Sequence, residues 1–195
     1  MQFSKENLEI AAIKGSRNVA EAFSKLAKTS IKVETSKVET VSFDVAISRI
    51  KPPGDHAVVV HSNVLFGAKG AAILMLSRED SLVLVDLLHN QEIGTTGILK
   101  DLDRSALKET LNILSNSFVT ALSDVTNVEL GLGVPGMITA GRLEEIIGAM
   151  RTGNKVKNDD NESLIFETSF SAFKQKIDAS LYLLFSEGIV DYIKE

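Results

Sequence analysis

The order of predicted helices and strands in the first half of the chain recurs in the second half. Helical periodicity over residues 4–28 begins the first half, and helical periodicity over residues 102–125 begins the second. Small residues also match in register: Ala22 with Ala121, and Ser24 with Ser123. Chance similarity between two helix–strand–strand–helix units would explain the order of elements but not this register. We therefore predict an internal duplication, which restricts the fold to arrangements with a pseudo-twofold axis.

Each long helix is followed by a comparable series of shorter elements, and residues 90–103 link the two series. In the first half they are a strand over 30–38, a turn at 52–55, strands over 56–66 and 70–77, and a helix over 79–91 with Ser77 as its N-cap. In the second half they are a strand over 127–134, a helix over 136–150, a charged loop at 157–162, strands over 163–173 and 177–186, and a closing helix over 187–195.

The duplicated order predicts an α+β fold in two layers. The strands of both halves would join in one shared sheet, and the two long helices would pack beside each other on one side of it. With 195 residues, of which 44% are hydrophobic, the chain can bury one sizeable core. We predict a single domain over residues 1–195, made of a first half (1–100) and a second half (101–195).

Composition excludes several classes of site. The chain has no cysteine, so disulfides and thiol nucleophiles are excluded, and a reducing cytoplasm is the expected compartment. No apolar run reaches the about 20 residues that cross a bilayer, and residues 1–9 do not resemble a signal peptide, so we expect no membrane insertion. The net charge of −5, without a cluster of lysine and arginine, predicts no nucleic-acid partner. His56, His61 and His89 lack acidic partners at ligand spacing, so no metal site is expected.

The second long helix has an unusual polar face. We call it the polar stripe, and it consists of four residues: Ser105, Glu109, Asn112 and Asn116. At about 100° per residue they lie within roughly 60° of one another, opposite an apolar face. A solvated surface would explain any one of them. Asparagine costs roughly half a kcal/mol in a helix interior, so two asparagines one turn apart weaken that explanation. On the stripe alone, a functional face and a solvated face are equally favoured.

An amide and a carboxylate on one rigid helix face suit a limited set of tasks. The amide of Asn112 can donate and accept hydrogen bonds at once and so hold a water, and the carboxylate of Glu109 can pair with a cation on a partner. Neither group is a strong nucleophile, and no histidine is nearby to act as a base. Any catalysis by this face would therefore come from positioning.

The spacing within this helix continues to a proline. Ser105, Glu109 and Asn112 are followed by 22 residues, 113–134, and then by Pro135. This spacing resembles the CheC/CheX/FliY family of chemotaxis phosphatases, whose signature is Asp or Ser, three residues, Glu, two residues, Asn, and 22 residues to a Pro. The layout in two halves is also similar to that family, so the resemblance covers nearly the full chain.

The resemblance implies hydrolysis of the aspartyl phosphate of the response regulator CheY. It implies that Asn112 enters the regulator's active site and orients the attacking water, and that Glu109 pairs with the regulator's active-site lysine. Ser105 would orient these two side chains, and Pro135 would shape the strand exit behind the helix. No cofactor is expected on this chain, because the Mg²⁺ at the phosphoryl group would belong to the regulator. A 100-fold acceleration would require only about 2.7 kcal/mol of barrier lowering.

Many members of the family carry the signature once per half, and the first half of this chain departs from that pattern. In the register of the duplication, Ile10 stands opposite Glu109. Ile13 likewise stands opposite Asn112. Isoleucine neither holds a water nor pairs with lysine. We therefore predict a degenerate first site and one active site per chain.

Other partners and functions remain open. Some members of the family bind the receptor deamidase CheD through the helix after the signature proline. The chain keeps an Ala–Gly pair there, Ala140 and Gly141, but lacks the Asp expected just before it. One alternative to the phosphatase is a non-catalytic adaptor that binds phosphorylated CheY or CheD or joins the flagellar switch, which the degenerate first site favours. Another is an unrelated small-molecule enzyme, for which the sequence offers neither a pocket nucleophile nor a metal cluster.

Overall fold

The described helices and strands follow the predicted order, with one short helix (Phe43–Arg49) and one short strand (Gly136–Thr139) added. The computed structural model describes residues 4–139, 143–144, 147–148, 162–172, 174–175 and 177–187. The helices are α1 (Lys5–Ala27), α2 (Phe43–Arg49), α3 (Arg78–Leu88) and α4 (Asp101–Thr126). The strands are β1 (Lys32–Ser42), β2 (Val58–Phe66), β3 (Lys69–Leu76), β4 (Gly131–Leu132), β5 (Gly136–Thr139), β6 (Glu162–Ala172) and β7 (Ile177–Glu187). Most of the predicted charged loop (157–161) and of the predicted closing helix (188–195) lies outside the described residues.

The order of the strands in the sheet reflects the duplication. The strands pair antiparallel in the order β1-β6-β7-β3-β2, and β4 and β5 follow one another along the outer edge of β2. Exchanging β1 with β4 and β5, β2 with β6, and β3 with β7 gives the same order read from the other edge. The axis that relates the halves therefore passes between β3 and β7, and the predicted α+β fold with an internal duplication is confirmed.

Strand β1 is continuous, whereas its counterpart in the second half is divided at Pro135. Strands β4 and β5 both pair with β2, and Pro135, which has no N–H to donate to a ladder, lies between them. The bond from the Gly133 N–H to the Asn63 carbonyl (2.8 Å) keeps the interrupted segment against β2.

The prediction of a helix over residues 136–150 is wrong for its first four residues. Residues 136–139 form β5, and helical structure is present only further along, at 143–144 and 147–148 among the described residues. The cause is non-local, because β2 offers an edge whose backbone groups pair with this segment, in a register from Val58–Thr139 to His61–Gly136. Sequence periodicity does not contain that information.

The two long helices cover the same face of the sheet. Both contribute to one hydrophobic cluster with the inward-facing residues of β2, β3, β6 and β7. The largest contributions from the helices are Leu8, Val19 and Phe23 of α1, and Leu107, Leu111, Leu114, Phe118 and Leu122 of α4. Helix α3 joins the same cluster through Leu84 and Val85. The prediction that the long helices lie together on one side of a shared sheet is confirmed.

A smaller hydrophobic cluster covers the opposite face of the sheet. Helix α2 contributes Phe43 and Ala46, and Leu143 and Ile147 from the later helical segment belong to the same cluster. Helix α2 has seven residues, which is too short to reveal a helical period in the sequence. By the register of the duplication, the described helical residues 143–144 and 147–148 correspond to residues of α2, so both halves contribute to this layer.

Helices α1 and α4 approach each other closely at Gly15. A Cβ atom added to Gly15 would lie 2.7–2.9 Å from three atoms of the Phe118 ring. Phe118 is fully buried and packs edge-on against Phe166 of β6, with the ring centroids 5.1 Å apart. The ring therefore fills the space between the two helices and the sheet, and position 15 has no room for a side chain.

We predict that Gly15→Ala destabilises the protein, although alanine favours a helix over glycine by about 1 kcal/mol. The added methyl group would overlap the Phe118 ring, and overpacking costs about 1–3 kcal/mol, so after the gain in helix propensity the free energy of unfolding should fall by up to about 2 kcal/mol in urea titrations. Gly97→Ala is the matched control, because a Cβ at Gly97 meets open space. A Gly15→Ala protein as stable as wild type would show that the helices can separate at little cost.

Candidate functional site

A buried carboxylate holds the segment that leads into α4. Asp86 of α3 is fully buried, and it accepts hydrogen bonds from three successive backbone N–H groups: those of Gly94 (2.7 Å), Thr95 (3.1 Å) and Thr96 (2.9 Å). The Gln91 N–H also donates to the Asp86 carbonyl, at 2.8 Å. The loop before α4 is therefore tied to α3 by its backbone.

The same hydrogen bonds set the charge of Asp86. Burial alone would raise the pKa of this carboxyl, but the Thr96 side chain and the three N–H groups bind its ionised form and hold the pKa below the usual value of 3.8. Asp86 is therefore ionised at neutral pH. Sequence reasoning missed this residue, although one carboxylate within the apolar run LVLVDLL was a signal that it needed buried partners.

Helix α4 begins with a hydrogen bond from the Lys100 N–H to the Asp103 carboxylate, at 2.7 Å. Of the two aspartates in the first turn, Asp101 and Asp103, the second makes this bond by reaching back to the N-cap residue. The other oxygen of Asp103 lies 3.6 Å from Nδ1 of His89, the residue after α3. The start of α4 is therefore fixed by its own cap and by contact with α3.

The structure places the polar stripe on the outer face of α4. Ser105, Glu109 and Asn116 are exposed, and Asn112 is half-buried. The opposite side of the helix carries fully buried leucines, which anchor the backbone in the core. Helix α4 is therefore held by its buried side while the Glu109 and Asn112 side chains face outward.

Most polar atoms of the stripe bond within α4. The Ser105 hydroxyl donates to the Asp101 carbonyl at 2.9 Å. The Asn116 Nδ2 donates to the Asn112 backbone carbonyl at 2.7 Å and to Asn112 Oδ1 at 2.9 Å. Asn112 Nδ2 in turn faces Glu109 Oε2 across a long contact of 3.5 Å. The Glu109 carboxylate can accept about four hydrogen bonds, so it keeps most of its capacity for a partner.

Whereas the polar stripe lies on α4, Pro135 lies in the break between β4 and β5. It is half-buried, and the next residue, Gly136, leaves room for the ring of His61 on β2. A Cβ at Gly136 would lie 2.6 Å from Nε2 of His61. Burial lowers the pKa of His61, so its ring is neutral at pH 7. The described geometry therefore places Pro135 at the strand break.

The described residues offer neither a metal site nor a membrane-spanning helix. Among those residues there is no group of three or more histidine and acidic side chains that could hold a metal ion. No helix within them is long and apolar enough to cross a membrane. Ala140 and Gly141, the pair considered for CheD binding, lie outside the described residues.

Comparison with known proteins identifies the fold. No family model matches the sequence. The chain is similar to FliY of Thermotoga maritima, with a TM-score of 0.63, 18% identity and coverage of 98% of this chain and 95% of that one. It is also similar to the FliM middle domain of Vibrio alginolyticus, with a TM-score of 0.61, 11% identity and coverage of 95% of this chain and 96% of that one. A chain of the CheX-CheY-BeF3-Mg+2 complex of Borrelia burgdorferi is similar with a TM-score of 0.59, 17% identity and coverage of 90% of this chain and 99% of that one. The chain has the CheC/CheX/FliY fold.

Within the CheC/CheX/FliY fold of this chain, the outer faces of α1 and α4 differ in chemistry. Helix α4 presents Glu109 and Asn112. At the positions that the duplication makes equivalent, α1 presents Ile10 and Ile13, whose exposed fractions are 39% and 62%. Isoleucine has no hydrogen-bonding side chain, so α1 lacks the carboxylate and amide that α4 carries at these two positions.

We predict that Asp86→Asn lowers the free energy of unfolding by about 1–3 kcal/mol at pH 7, because a neutral amide binds the three N–H groups less well. Folding lowers the pKa of Asp86, so the stabilisation is present above the unfolded pKa, near 3.8, and is lost as the pH falls through the lower folded pKa. Urea titrations from neutral pH into acid should therefore show the two proteins converging. Glu92→Gln is the control, because Glu92 is an exposed carboxylate of the same loop. A stability difference between Asp86→Asn and wild type that does not change with pH would contradict the conclusion that the ionised Asp86 stabilises the fold.

Proposed function

We propose that the chain is a chemotaxis protein phosphatase that hydrolyses the aspartyl phosphate of a CheY-type response regulator. The observation that carries the proposal is the pair Glu109 and Asn112, accessible on the rigid outer face of α4, at the spacing of the CheC/CheX/FliY signature and with hydrogen-bonding capacity left for a partner. The second-half face alone would be active, giving one site per chain.

In the proposed reaction, Asn112 holds the attacking water. Its Nδ2 carries two protons, and the long contact with Glu109 uses one of them at most, so the other can donate to a water oxygen. That water attacks phosphorus, the bond from phosphorus to the regulator's aspartyl oxygen breaks, and the aspartate leaves as a carboxylate. The proton of the water passes to the phosphate that forms. The contribution of this chain is position, because an ordered helix holds the water in line with the breaking bond.

The proposed role of Glu109 is docking through charge. Its exposed carboxylate would pair with the regulator's active-site lysine, and this pair would place Asn112 over the phosphoryl group. The Mg²⁺ of the reaction is proposed to belong to the regulator, with no cofactor on this chain. The Ser105 hydroxyl bonds to the Asp101 carbonyl, and a role for Ser105 in orienting the other two side chains stays a prediction.

The choice of partner is supported by a similar protein. One of the structural neighbours is in a complex of CheX with CheY, BeF3 and Mg²⁺. By analogy, a CheY-type regulator is the proposed partner of this chain, and the cytoplasm is the proposed location. Binding to CheD stays a prediction.

The experiment that tests the proposal is single-turnover decay of a phosphorylated CheY-type regulator at saturating concentrations of this protein. Wild type should accelerate the decay. Asn112→Ala removes the group that holds the water while leaving the rest of the outer face intact, so the decay should return toward the regulator's spontaneous rate with little change in binding. An Asn112→Ala protein that accelerates decay as well as wild type would exclude the water-holding role.

In the same assay, Glu109→Ala should behave differently from Asn112→Ala. Loss of the charge pair should weaken binding as well as turnover, by up to about 2–5 kcal/mol if the pair is desolvated in the complex. Both variants should keep wild-type stability, because substitutions on an exposed face usually change it by less than about half a kcal/mol. Unaltered binding of the regulator by Glu109→Ala would remove the docking role.

The alternative function is an adaptor that binds the regulator without hydrolysis. The observation that favours it is the exposed apolar pair Ile10 and Ile13 on α1, since exposed apolar residues that face outward together are common at protein contacts. A wild-type protein that binds phosphorylated regulator and leaves its decay unchanged would establish the adaptor.

We predict that a variant with both Ile10→Ala and Ile13→Ala keeps the phosphatase activity of wild type, because neither side chain can hold water or pair with lysine. The decay assay and a binding titration with the regulator check this, with circular dichroism to confirm folding. Loss of regulator binding in the folded double variant would place part of the docking surface on α1.

A further inference from the structure

Asn116 contacts the catalytic amide of the proposed site, although the family signature does not include its position. It lies one helical turn after Asn112 on the exposed face of α4. Its Nδ2 donates to two atoms of Asn112, the backbone carbonyl oxygen at 2.7 Å and the side-chain Oδ1 at 2.9 Å. Both distances are those of well-formed hydrogen bonds.

The backbone carbonyl of Asn112 fixes the direction of these hydrogen bonds. A carbonyl oxygen can only accept, so the Asn116 atom that faces it must be the NH2 group. The same NH2 group faces the Asn112 side chain, so the atom of Asn112 that it meets must be the acceptor, Oδ1. The remaining end of the Asn112 amide, Nδ2, is then directed toward the Glu109 carboxylate, which is also an acceptor. One backbone atom thus determines the orientation of both asparagine amides.

We propose that Asn116 is a positioning residue that holds the Asn112 amide in the one orientation in which Nδ2 is the end available to the attacking water. This inference rests on the proposed phosphatase function. An Asn side chain can rotate its amide by about 180° about a broad terminal torsion, which exchanges donor and acceptor ends. The hydrogen bond from Asn116 opposes that rotation because the rotated amide would place two NH2 groups against each other.

The most informative substitution is Asn116→Asp, which keeps the shape of the side chain and reverses its hydrogen bonding. A carboxylate at this position is repelled by the Asn112 backbone carbonyl and by Oδ1, and it can bond to the Asn112 amide only through Nδ2. Its contact with that amide therefore favours the rotated form, in which Oδ1 is directed toward Glu109. Asn116→Ala removes the contact without favouring the rotated form. At saturating protein, the decay rate of the phosphorylated regulator should fall about threefold with Asn116→Ala and about tenfold or more with Asn116→Asp.

Thr120→Asp is the matched control for the added charge. Thr120 lies one turn further along the exposed side of α4, and its hydroxyl donates only to the Asn116 backbone carbonyl, at 2.8 Å. A new carboxylate there adds the same charge near the docking face but cannot reach the Asn112 amide. Thr120→Asp should therefore raise the concentration of protein needed for half-maximal decay, as Asn116→Asp does, and leave the saturating rate at the wild-type value. Asn116→Ala should change the saturating rate and not the half-maximal concentration.

A spectroscopic measurement on the free protein tests the orientation without the regulator. The ¹⁵N side-chain amide of Asn112 is assigned by its loss in Asn112→Ala, and its ¹⁵N relaxation reports how restricted the amide is. It should be restricted in wild type and in Thr120→Asp, and it should gain fast motion in Asn116→Ala.

The outcomes separate this inference from the proposed function. If wild type accelerates decay and Asn116→Asp reaches the same saturating rate, the positioning role is excluded and the phosphatase stands. If wild type does not accelerate decay, the phosphatase is excluded, and with it the catalytic consequence of the positioning. If the Asn112 amide is as mobile in wild type as in Asn116→Ala, the orientation by Asn116 is excluded whatever the activity.

Discussion

The contact between Gly15 and the Phe118 ring is the constraint on which the outer surface depends. Because position 15 has no side chain, α1 and α4 can lie close enough for one buried ring to contact both helices and Phe166 of the sheet. That arrangement fixes the rotation of α4 about its own axis. The buried leucines then face the sheet, and the polar stripe faces outward by necessity. A site made only of helix surface residues is as rigid as the packing beneath it.

Much of the fold follows from local patterns that the sequence shows directly. Helical periods locate α1, α3 and α4, and α3 begins at the predicted N-cap Ser77, whose side chain accepts a hydrogen bond from the Asp80 N–H. In the structure, Ser4 caps α1 in the same way by accepting from the Asn7 N–H. The repeat of these patterns predicts the shared sheet. Two features cannot be predicted in this way, each for its own reason. Helix α2 is too short to show a period, and β5 is a strand only because β2 offers an edge beside it.

The candidate site is predictable in composition but not in orientation. Spacing alone places Glu109 and Asn112 on one side of a helix, since residues three apart are neighbours there. Whether the amide presents its donor or its acceptor depends on a hydrogen bond that involves a backbone carbonyl, and no residue pattern encodes that choice. Asp86 is a similar case: the sequence shows an acid in an apolar run, and only the folded loop supplies the three N–H groups that it binds.

The two edges of the sheet resist unwanted pairing with other chains by different means. Among the described strands, β1 pairs only with β6, which leaves one long row of backbone donors and acceptors on its other side. Exposed side chains of alternating charge lie along that strand: Lys32, Glu34, Lys37 and Glu39. The opposite edge is shortened by the proline between β4 and β5. The charges on β1 and the break between β4 and β5 both hinder the addition of a strand from another chain at the sheet edge. The two halves of the duplication therefore protect equivalent edges against aggregation by different means.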